Sequence, residues 1–332
     1  MRVRRGPHVT ELAELGAGEW DTTLAESGLP FRFSHRAAAG QALGRMYESY
    51  RFTPLRVEYD DGVVLLLPLV RVTRRIAPLS MALALPLGLE GRPLALAGTP
   101  GPGHLEALFD ALDGCGRLDV AGGAGGSPPA AGEVSLQTTH VLDLSPGFEE
   151  LWAHAFGAKT RNMCRKAERG GVTVTPESRP EAVAVYQSLY RASALGWGYS
   201  VPPYPDALFA ALLSNEHAEL WLARAGHEAV AGAVMLRGSE DLLYWSGAMN
   251  REFRHLAPSN AIIRAVVEDA CRRGIAYLDF GSSAGISGVE TFKRSFGAQE
   301  REYRTVSLTT LRYRQLERAR RAAGRLGAGA AA

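Results

Sequence analysis

Residues 277–298 read YLDFGSSAGISGVETFKRSFGA and carry the strongest local signal in the chain. Residues 275–280 are predicted to form a strand, and a loop rich in Gly and Ser, residues 281–288, leads into a short helix. Such a loop presents backbone N–H groups that suit an anion or an oxyanion. Lys293 and Arg294 add positive charge at the same place. The alternative interpretation is an ordinary loop followed by a solvated Lys–Arg pair.

The pattern that precedes this segment occurs twice in the chain. In the second half we predict a hairpin, a third strand, a helix and a strand at residues 220–225, 229–236, 241–246, 261–271 and 275–280. In the first half we predict a hairpin, a helix, a strand and a Gly-rich loop at residues 55–59, 63–72, 104–112, 117–120 and 122–132. The pairs Leu118-Asp119 and Leu278-Asp279 lie in the last strand of each set. This repetition favours a duplicated domain, although any α/β protein offers strand–helix–strand units.

Composition bounds the class of protein. The 332 residues correspond to about two domains of ordinary size. With 46% hydrophobic residues, 22% charged residues and a net charge of +2, the chain is predicted to be globular, and a basic nucleic-acid coat is excluded. Three scattered cysteines favour neither a disulfide framework nor a zinc site. With no signal sequence and no apolar run of ~20 residues, we expect a cytoplasmic protein.

Two segments are locally basic. Residues 148–171 are predicted to form one long helix that carries Lys159, Arg161, Arg165 and Lys166, and residues 312–325 form a basic C-terminal segment. Such patches give salt-sensitive contacts with phosphate groups. The alternative for each patch is a solvated amphipathic face. Only three of the 37 basic residues are lysines, at positions 159, 166 and 293.

Two motifs carry a resemblance to a known family. Residues 151–174, LWAHAFGAKTRNMCRKAERGGVTV, resemble the inter-domain segment of the Fem (FemABX) aminoacyltransferases. Residues 277–299 resemble the "FKrgFGa" ending of the same family. Residues 255–260, HLAPSN, lie where its members have a Pro-containing turn before the last long helix. The resemblance covers most of residues 143–308, and the first half matches only in layout.

The resemblance implies an α/β (α+β) fold with two tandem GNAT-like domains, whose mixed, largely antiparallel sheets are flanked by helices. Residues 1–142 would form a degenerate, acceptor-binding domain. Residues 143–332 would form the domain that carries the Phe-Lys motif, followed by a basic C-terminal helix.

The resemblance also implies the reaction. An aminoacyl group passes from aminoacyl-tRNA to an amine of a small molecule or peptide and forms an amide, with no cofactor, metal or covalent enzyme intermediate. Phe292 and Lys293 would face the reacting ester, where Lys293 stabilises negative charge. Asp279 and Tyr303 are candidates to take the amine proton. Asp279 is equally a candidate for a structural hydrogen-bonding role, and the substrate itself is a third possible acceptor.

The remaining predicted contacts fall into two groups. We predict that the donor and its tRNA contact Arg294, Lys159, Arg161, Arg165, Lys166, Ser282 and Ser283. We predict that the acceptor amine contacts Trp197, Tyr199, Tyr204 and Tyr244, because aromatic side chains near Gly and Pro form walls of ligand clefts. Tyr190, on a helix, is predicted to lie in the core, and only one of Tyr244 and Trp245 can face a pocket because they alternate on a strand.

Two other functions stay open. One is an acyl-CoA-dependent N-acyltransferase, and the other is a non-catalytic GNAT-like binding protein. Acetyl-CoA enzymes carry an R/QxxGxG/A loop after the third hairpin strand, whereas residues 250–260 here contain a proline and no glycine. This argues against CoA, although Arg251 and Arg254 could still meet phosphate. No long charged helical hairpin is inserted in the second domain. The chain therefore resembles either the shorter form of the family or its stand-alone transferases of bacterial natural-product pathways, so that a peptidoglycan-type acceptor and a natural-product acceptor both stay open.

Overall fold

The computed structural model describes residues 6–76, 79–84, 86–121, 132–283 and 285–329. They form two compact units, and each unit contains β-strands flanked by helices. The first unit comprises the residues up to 29, residues 34–137 and the residues from 303 onward. The second unit comprises residues 30–33 and 138–302. The predicted α/β class with two tandem domains is confirmed.

The elements of the first half follow each other as β1 (Val9–Glu14), α1 (Ala17–Glu26), α2 (Ala37–Met46), β2 (Tyr50–Tyr59), β3 (Val64–Val72), β4 (Met81–Leu83), β5 (Leu94–Ala97), α3 (Pro102–Ala111) and β6 (Arg117–Ala121). The second half contains β7 (Gly132–Asp143), α4 (Phe148–Glu150), α5 (Ala158–Arg169), β8 (Val172–Glu177), α6 (Pro180–Gly196), α7 (Asp206–Leu213), β9 (Ala218–Ala225), β10 (Glu228–Arg237), β11 (Asp241–Met249), α8 (Pro258–Arg272), β12 (Tyr277–Asp279), α9 (Ser287–Arg294), β13 (Gln299–Thr309) and α10 (Leu311–Gly329).

In the first unit the strand order is β1-β2-β3-β4-β6-β13, and β5 also pairs with β3. The predicted hairpin is confirmed, because β2 and β3 pair antiparallel with Leu55 opposite Leu67. Every second residue of these strands faces a core that also receives Leu105 and Leu108 from α3. The first unit therefore has its own hydrophobic core.

In the second unit the strand order is β7-β12-β11-β10-β9-β8. The predicted hairpin of β9 and β10 is confirmed, and β11 pairs antiparallel with β10. Helix α8 buries the apolar face that the sequence predicted, formed by Ile262, Ile263, Val266, Val267 and Ala270. The second core is built around this face.

The two units repeat one arrangement of parallel strands. In the first unit β6 runs parallel to β4, with Asp119 opposite Leu83. In the second unit β12 runs parallel to β11, with Asp279 opposite Leu243. A helix, α3 or α8, precedes the last strand in both cases. The equivalent positions of Asp119 and Asp279 support the predicted duplication.

The predicted single helix over residues 148–171 is wrong. The chain forms the short helix α4 and a π-helical turn at Leu151–Ala155, and α5 begins only at Ala158. Between them Phe156 and Gly157 are extended, with ψ of 122° and 148°. Phe156 leaves the helical path because its ring is buried against Phe296, with ring centroids 5.1 Å apart. Tertiary packing thus overrides local helix preference.

The division of the chain also differs from the expected boundaries at both ends of the second domain. The second unit begins at Thr138 and ends at Glu302, whereas the C-terminal residues belong to the first unit. The reason is pairing: β13 lies antiparallel to β6, with Val306 opposite Val120. Tyr313 of α10 also donates a hydrogen bond to the sulfur of Met81 at 3.5 Å. The predicted loop over residues 122–132 lies almost wholly outside the described residues.

A short N-terminal segment, residues 30–33, belongs to the second unit. Ser239 N donates to Phe31 O at 2.8 Å, and Phe31 N donates to Ser239 Oγ at 2.9 Å. The segment approaches Gly238 so closely that a Cβ there would lie 2.5 Å from Phe31 O and 2.9 Å from Arg32 Cα. Only glycine therefore allows this approach.

We expect Gly238→Ala to lower the free energy of unfolding by about 1–3 kcal/mol, because the added methyl group forces the backbone at Phe31 and Arg32 to shift. Urea denaturation measures the change. Gly288→Ala is the control in the same unit, because a Cβ at Gly288 meets nothing within 4 Å. Equal stability of the two variants would contradict the close approach at Gly238.

Candidate active site

The ammonium group of Lys293 is enclosed at the end of α9. The residue is 2% exposed, and Nζ donates hydrogen bonds to Gly281 O at 2.7 Å and to Ser282 O at 2.9 Å. A lysine ammonium has three N–H donors. The third has no hydrogen-bond partner among the residues that the structure describes. The loop that was predicted to present N–H groups thus turns two of its carbonyl groups toward a buried cation.

Burial changes the acidity of this group. The loss of water around the ammonium lowers the pKa of Lys293 to about 8, while the carboxylates of Asp279 and Glu290 act in the opposite direction. At neutral pH the side chain is still mostly charged. A buried cation with a free donor is an arrangement that can stabilise negative charge in a dry site.

Asp279 lies beside Lys293; its Oδ1 accepts hydrogen bonds, whereas its Oδ2 has an ion pair and no hydrogen-bond partner among the described residues. Its carboxylate accepts hydrogen bonds from the Thr139 hydroxyl and from Gly281 N, the latter at 2.8 Å. Arg32 Nη1 lies 2.8 Å from Asp279 Oδ2. These contacts hold the loop and balance charge, and they fit the structural role that the sequence analysis left open for Asp279; its part in proton transfer stays a prediction.

Aromatic packing positions α9. Phe292 meets Phe296 edge to face, with ring centroids 5.1 Å apart, and Phe296 in turn packs against Phe156 and Phe280. Gly297 follows with φ of +89°, and its Cα faces Ala155 so closely that a Cβ would lie 2.7 Å from that methyl group. Phe292 therefore belongs to the packing that orients Lys293.

The other predicted donor contacts surround this loop. Ser282 is exposed, whereas Ser283 is buried and its hydroxyl has no hydrogen-bond partner among the described residues. Arg294 is exposed and forms an ion pair with Glu300. Arg294 and the two serines thus lie close in sequence and space to Lys293, and their contact with a donor stays a prediction.

The basic residues of α5 have different surroundings. Arg161 donates from Nη1 to Trp152 O, Ala153 O and Phe156 O, at 3.2, 2.9 and 2.5 Å, and so satisfies carbonyl groups where the π-helical turn ends. The Arg165 guanidinium lies over the Trp152 ring, 5.5 Å from its centroid. Lys159 and Lys166 are exposed. Arg165 is exposed as well, so three residues of this set present their charge to solvent, whereas Arg161 is half-buried.

Two of the predicted acceptor residues, Trp197 and Tyr204, pack against Tyr190, with ring centroids 6.0 and 5.9 Å from it, and their contact with an acceptor stays a prediction. Tyr204 stacks on Trp245 with ring centroids 4.6 Å apart and lies parallel to Tyr190, which is buried as predicted. Trp197 and Tyr199 are each 50% exposed.

Tyr244 lies on the other face of β11 and packs against Phe280, with ring centroids 6.1 Å apart. Of the four predicted acceptor residues, Tyr244 is therefore the one in contact with a neighbour of Asp279. Burial raises its pKa to about 12, so its hydroxyl stays protonated at neutral pH.

Sequence reasoning missed Arg32, Thr139 and His140. Arg32 lies far from the motif in sequence and has no local pattern that marks it. Thr139 and His140 are consecutive buried polar residues on β7, next to Asp279. Two polar residues inside a strand that continues as Val141-Leu142 could have been noticed as an interruption of the apolar pattern.

Tyr303, a candidate proton acceptor, belongs instead to the first unit, where its hydroxyl donates to Glu90.

Two features are absent from the part of the chain that the structure describes. No group of three or more metal-ligating side chains occurs among these residues. None of the helices in the described ranges is both long and apolar enough to cross a bilayer.

We expect Lys293→Met to change how stability depends on pH. Between about pH 8 and about pH 10.5 the unfolded chain still binds the lysine proton that the folded protein has released, so wild-type stability rises with pH. The variant lacks this rise. The free energy of unfolding of the wild type should therefore increase relative to that of the variant by on the order of 3 kcal/mol between these two pH values. Urea denaturation at several pH values measures it. Lys166→Met is the matched control for an exposed lysine, and a rise that persists in Lys293→Met would contradict the burial of this charge.

Comparisons with known proteins bear on the fold and on the domain family. Residues 154–294 match the family described as Acetyltransferase (GNAT) domain. No curated protein sequence matches this chain significantly. Among solved structures, FemX is 13% identical, with a TM-score of 0.70 over 93% of this chain and 99% of that one. The structure of L-PGS from Bacillus licheniformis is 14% identical, with a TM-score of 0.56 over 91% of this chain and 96% of that one.

A third similar structure is the tandem GNAT protein from the clavulanic acid biosynthesis pathway, 14% identical, with a TM-score of 0.55 over 90% of this chain and 98% of that one. At these identities the structures establish the fold, and the family match adds the acyltransferase class of the domain that contains Lys293. The chain thus shares the fold of FemX and of the tandem GNAT protein, and its residues 154–294 match a GNAT acetyltransferase domain.

Proposed function

We propose that this protein transfers an aminoacyl group from aminoacyl-tRNA to an amine of a small molecule or peptide and so forms an amide. The observation that carries the proposal is the Lys293 ammonium, buried and charged, with one N–H that no described residue accepts. The likeness to FemX over nearly the whole of both chains supports the same conclusion.

The chemistry follows from the arrangement. The amine attacks the ester carbonyl carbon, and a negative charge develops on the carbonyl oxygen. A hydrogen-bond donor that is already fixed in place, here the Lys293 ammonium, stabilises this oxygen without reorganisation. One such hydrogen bond commonly accelerates the reaction by about 10²–10³-fold. Because an ester is already activated toward an amine, holding the two reactants together supplies much of the remaining acceleration.

The segment between β11 and α8 supports a donor other than CoA. Residues Arg251–Leu256 form a 3-10 helix, and Ala257 has φ of +53° before Pro258 begins α8. The backbone N–H groups of Phe253 and Ala257 donate to Asn250 O and Arg254 O, each at 3.1 Å, and proline has none to offer. Few N–H groups of this turn are left for a pyrophosphate.

Transfer from an acyl-CoA is the second candidate. The specific observation in its favour is the family match, whose description names acetyltransferases. The similar tandem GNAT protein from the clavulanic acid pathway is described in a form without AcCoA, which associates that protein with this donor class. The two candidates share the acyl acceptor and differ in the donor, so one assay separates them.

The assay supplies the purified protein with total tRNA charged with radiolabelled amino acids and with a cell extract as the source of amines. We expect label to enter a nuclease-resistant, base-stable product, and this transfer to disappear after ribonuclease pretreatment of the charged tRNA. Lys293→Ala should lower the rate by about 10²–10³-fold, because the oxyanion loses a charged donor.

Arg51→Ala is the control variant, since Arg51 is an exposed residue of the first unit that pairs with Glu14. Its rate should equal that of the wild type. Consumption of acyl-CoA, with no transfer from any charged tRNA, would contradict the proposed donor and favour the second candidate.

A further inference from the structure

His140 is a buried histidine beside the candidate active site. It lies on β7 and is 1% exposed, and its carbonyl oxygen accepts a hydrogen bond from Phe280 N at 2.8 Å, directly after Asp279. Neither ring nitrogen has a hydrogen-bond partner among the described residues. Buried polar groups in proteins are rarely left without a partner, and such groups concentrate at places where a ligand or water binds.

An exposed ion pair lies next to this ring. The Glu300 carboxylate is 4.0 Å from His140 Nε2 and also pairs with Arg294. The side chains of Glu300 and Arg294 are 41% and 56% exposed. Exposed ion pairs of this kind contribute little to stability. A substrate can therefore displace this pair at small cost and reach Nε2 from the solvent side.

Burial, together with the nearby positive charges, favours the neutral form of the ring. Burial, followed by the positive charges of Lys293 and Arg294, lowers the pKa of His140, while Glu300 and Glu290 act in the opposite direction. A neutral imidazole has one nitrogen that can accept a proton. In Asp279, by contrast, Oδ1 accepts hydrogen bonds from Thr139 and Gly281, and Oδ2 forms an ion pair with Arg32.

We propose that His140 is a further catalytic residue of this site, which takes the proton that the attacking amine loses. The inference rests on the proposed transfer of an acyl group to an amine, and it holds for either donor. The amine nitrogen forms a bond to the carbonyl carbon and gives its proton to the imidazole. The bond from that carbon to the leaving oxygen or sulfur then breaks, and the imidazolium returns the proton to the leaving atom.

The test is the pH profile of kcat/KM, measured with whichever donor supports turnover. We expect His140→Gln to lower kcat/KM by about 10²–10⁴-fold, as for loss of a general base, and to abolish the acid limb of the profile. His104→Gln is the matched control, because His104 is also buried but belongs to the first unit and is paired with Asp61. A His140→Gln profile that keeps the wild-type acid limb would overturn the proposal.

Glu300→Gln is a second test, at an exposed position where folding is not at risk. Because the Glu300 charge raises the pKa of His140, its removal should move the acid limb to lower pH. The shift should be absent when His140→Gln is also present. If the acid limb of the kcat/KM profile stays at the same pH in Glu300→Gln, the assignment of His140 is contradicted. A histidine with only a structural role would also leave the limb unchanged.

A third measurement separates this inference from the identity of the donor. Long-range ¹H–¹⁵N spectra of the free protein should show the His140 ring neutral at pH 7 and protonated at lower pH, with a midpoint that falls in Glu300→Gln. A ring that is charged at pH 7 would overturn the proposal even if aminoacyl transfer is observed. Failure of charged tRNA as donor, with the expected titration intact, would overturn the proposed donor and leave His140 as the proton acceptor.

Discussion

The burial of one ammonium group is the constraint on which the candidate site depends. Removing a charge from water is costly unless polar groups replace the water, and here the carbonyl groups of Gly281 and Ser282 do so. These carbonyl groups can face Lys293 only because the loop turns sharply after β12, where Gly281 has φ of +68°. Asp279 holds the start of that turn through Gly281 N and supplies the opposite charge.

The same constraint explains the surroundings of Asp279. A buried carboxylate also needs partners, and these come from two distant parts of the sequence, Thr139 on β7 and Arg32 in the segment that crosses Gly238. The equivalent aspartate of the first unit, Asp119, instead accepts hydrogen bonds from Arg117 and Ser307. Residues 1–142 contain no lysine. This part of the chain therefore keeps the aspartate of the strand but has no counterpart of Lys293.

Much of this could be predicted from sequence, because it depends on local patterns. The hairpins, the apolar face of α8 and the Gly-rich loop before Lys293 all follow from periodicity and turn residues. The break at Phe156 could not be predicted, since it depends on a contact with Phe296, 140 residues away. The roles of Arg32 and His140 were also out of reach, because a single residue acquires its role from the charges that folding brings beside it. The sequence predicted a loop that presents N–H groups, whereas the loop directs the carbonyl groups of Gly281 and Ser282 toward Lys293. This orientation also depends on tertiary structure.

The most direct test is the pKa of Lys293 itself. The chain has only three lysines. In protein labelled with ¹³C-lysine, the signal of each lysine side chain can therefore be followed through a pH titration. We expect one signal to titrate near pH 8 and to be absent from the spectrum of Lys293→Met. A Lys293 signal that titrates at about 10.4, as lysine does in model peptides, would show that this ammonium is solvated, and would contradict a buried cation at the centre of this site.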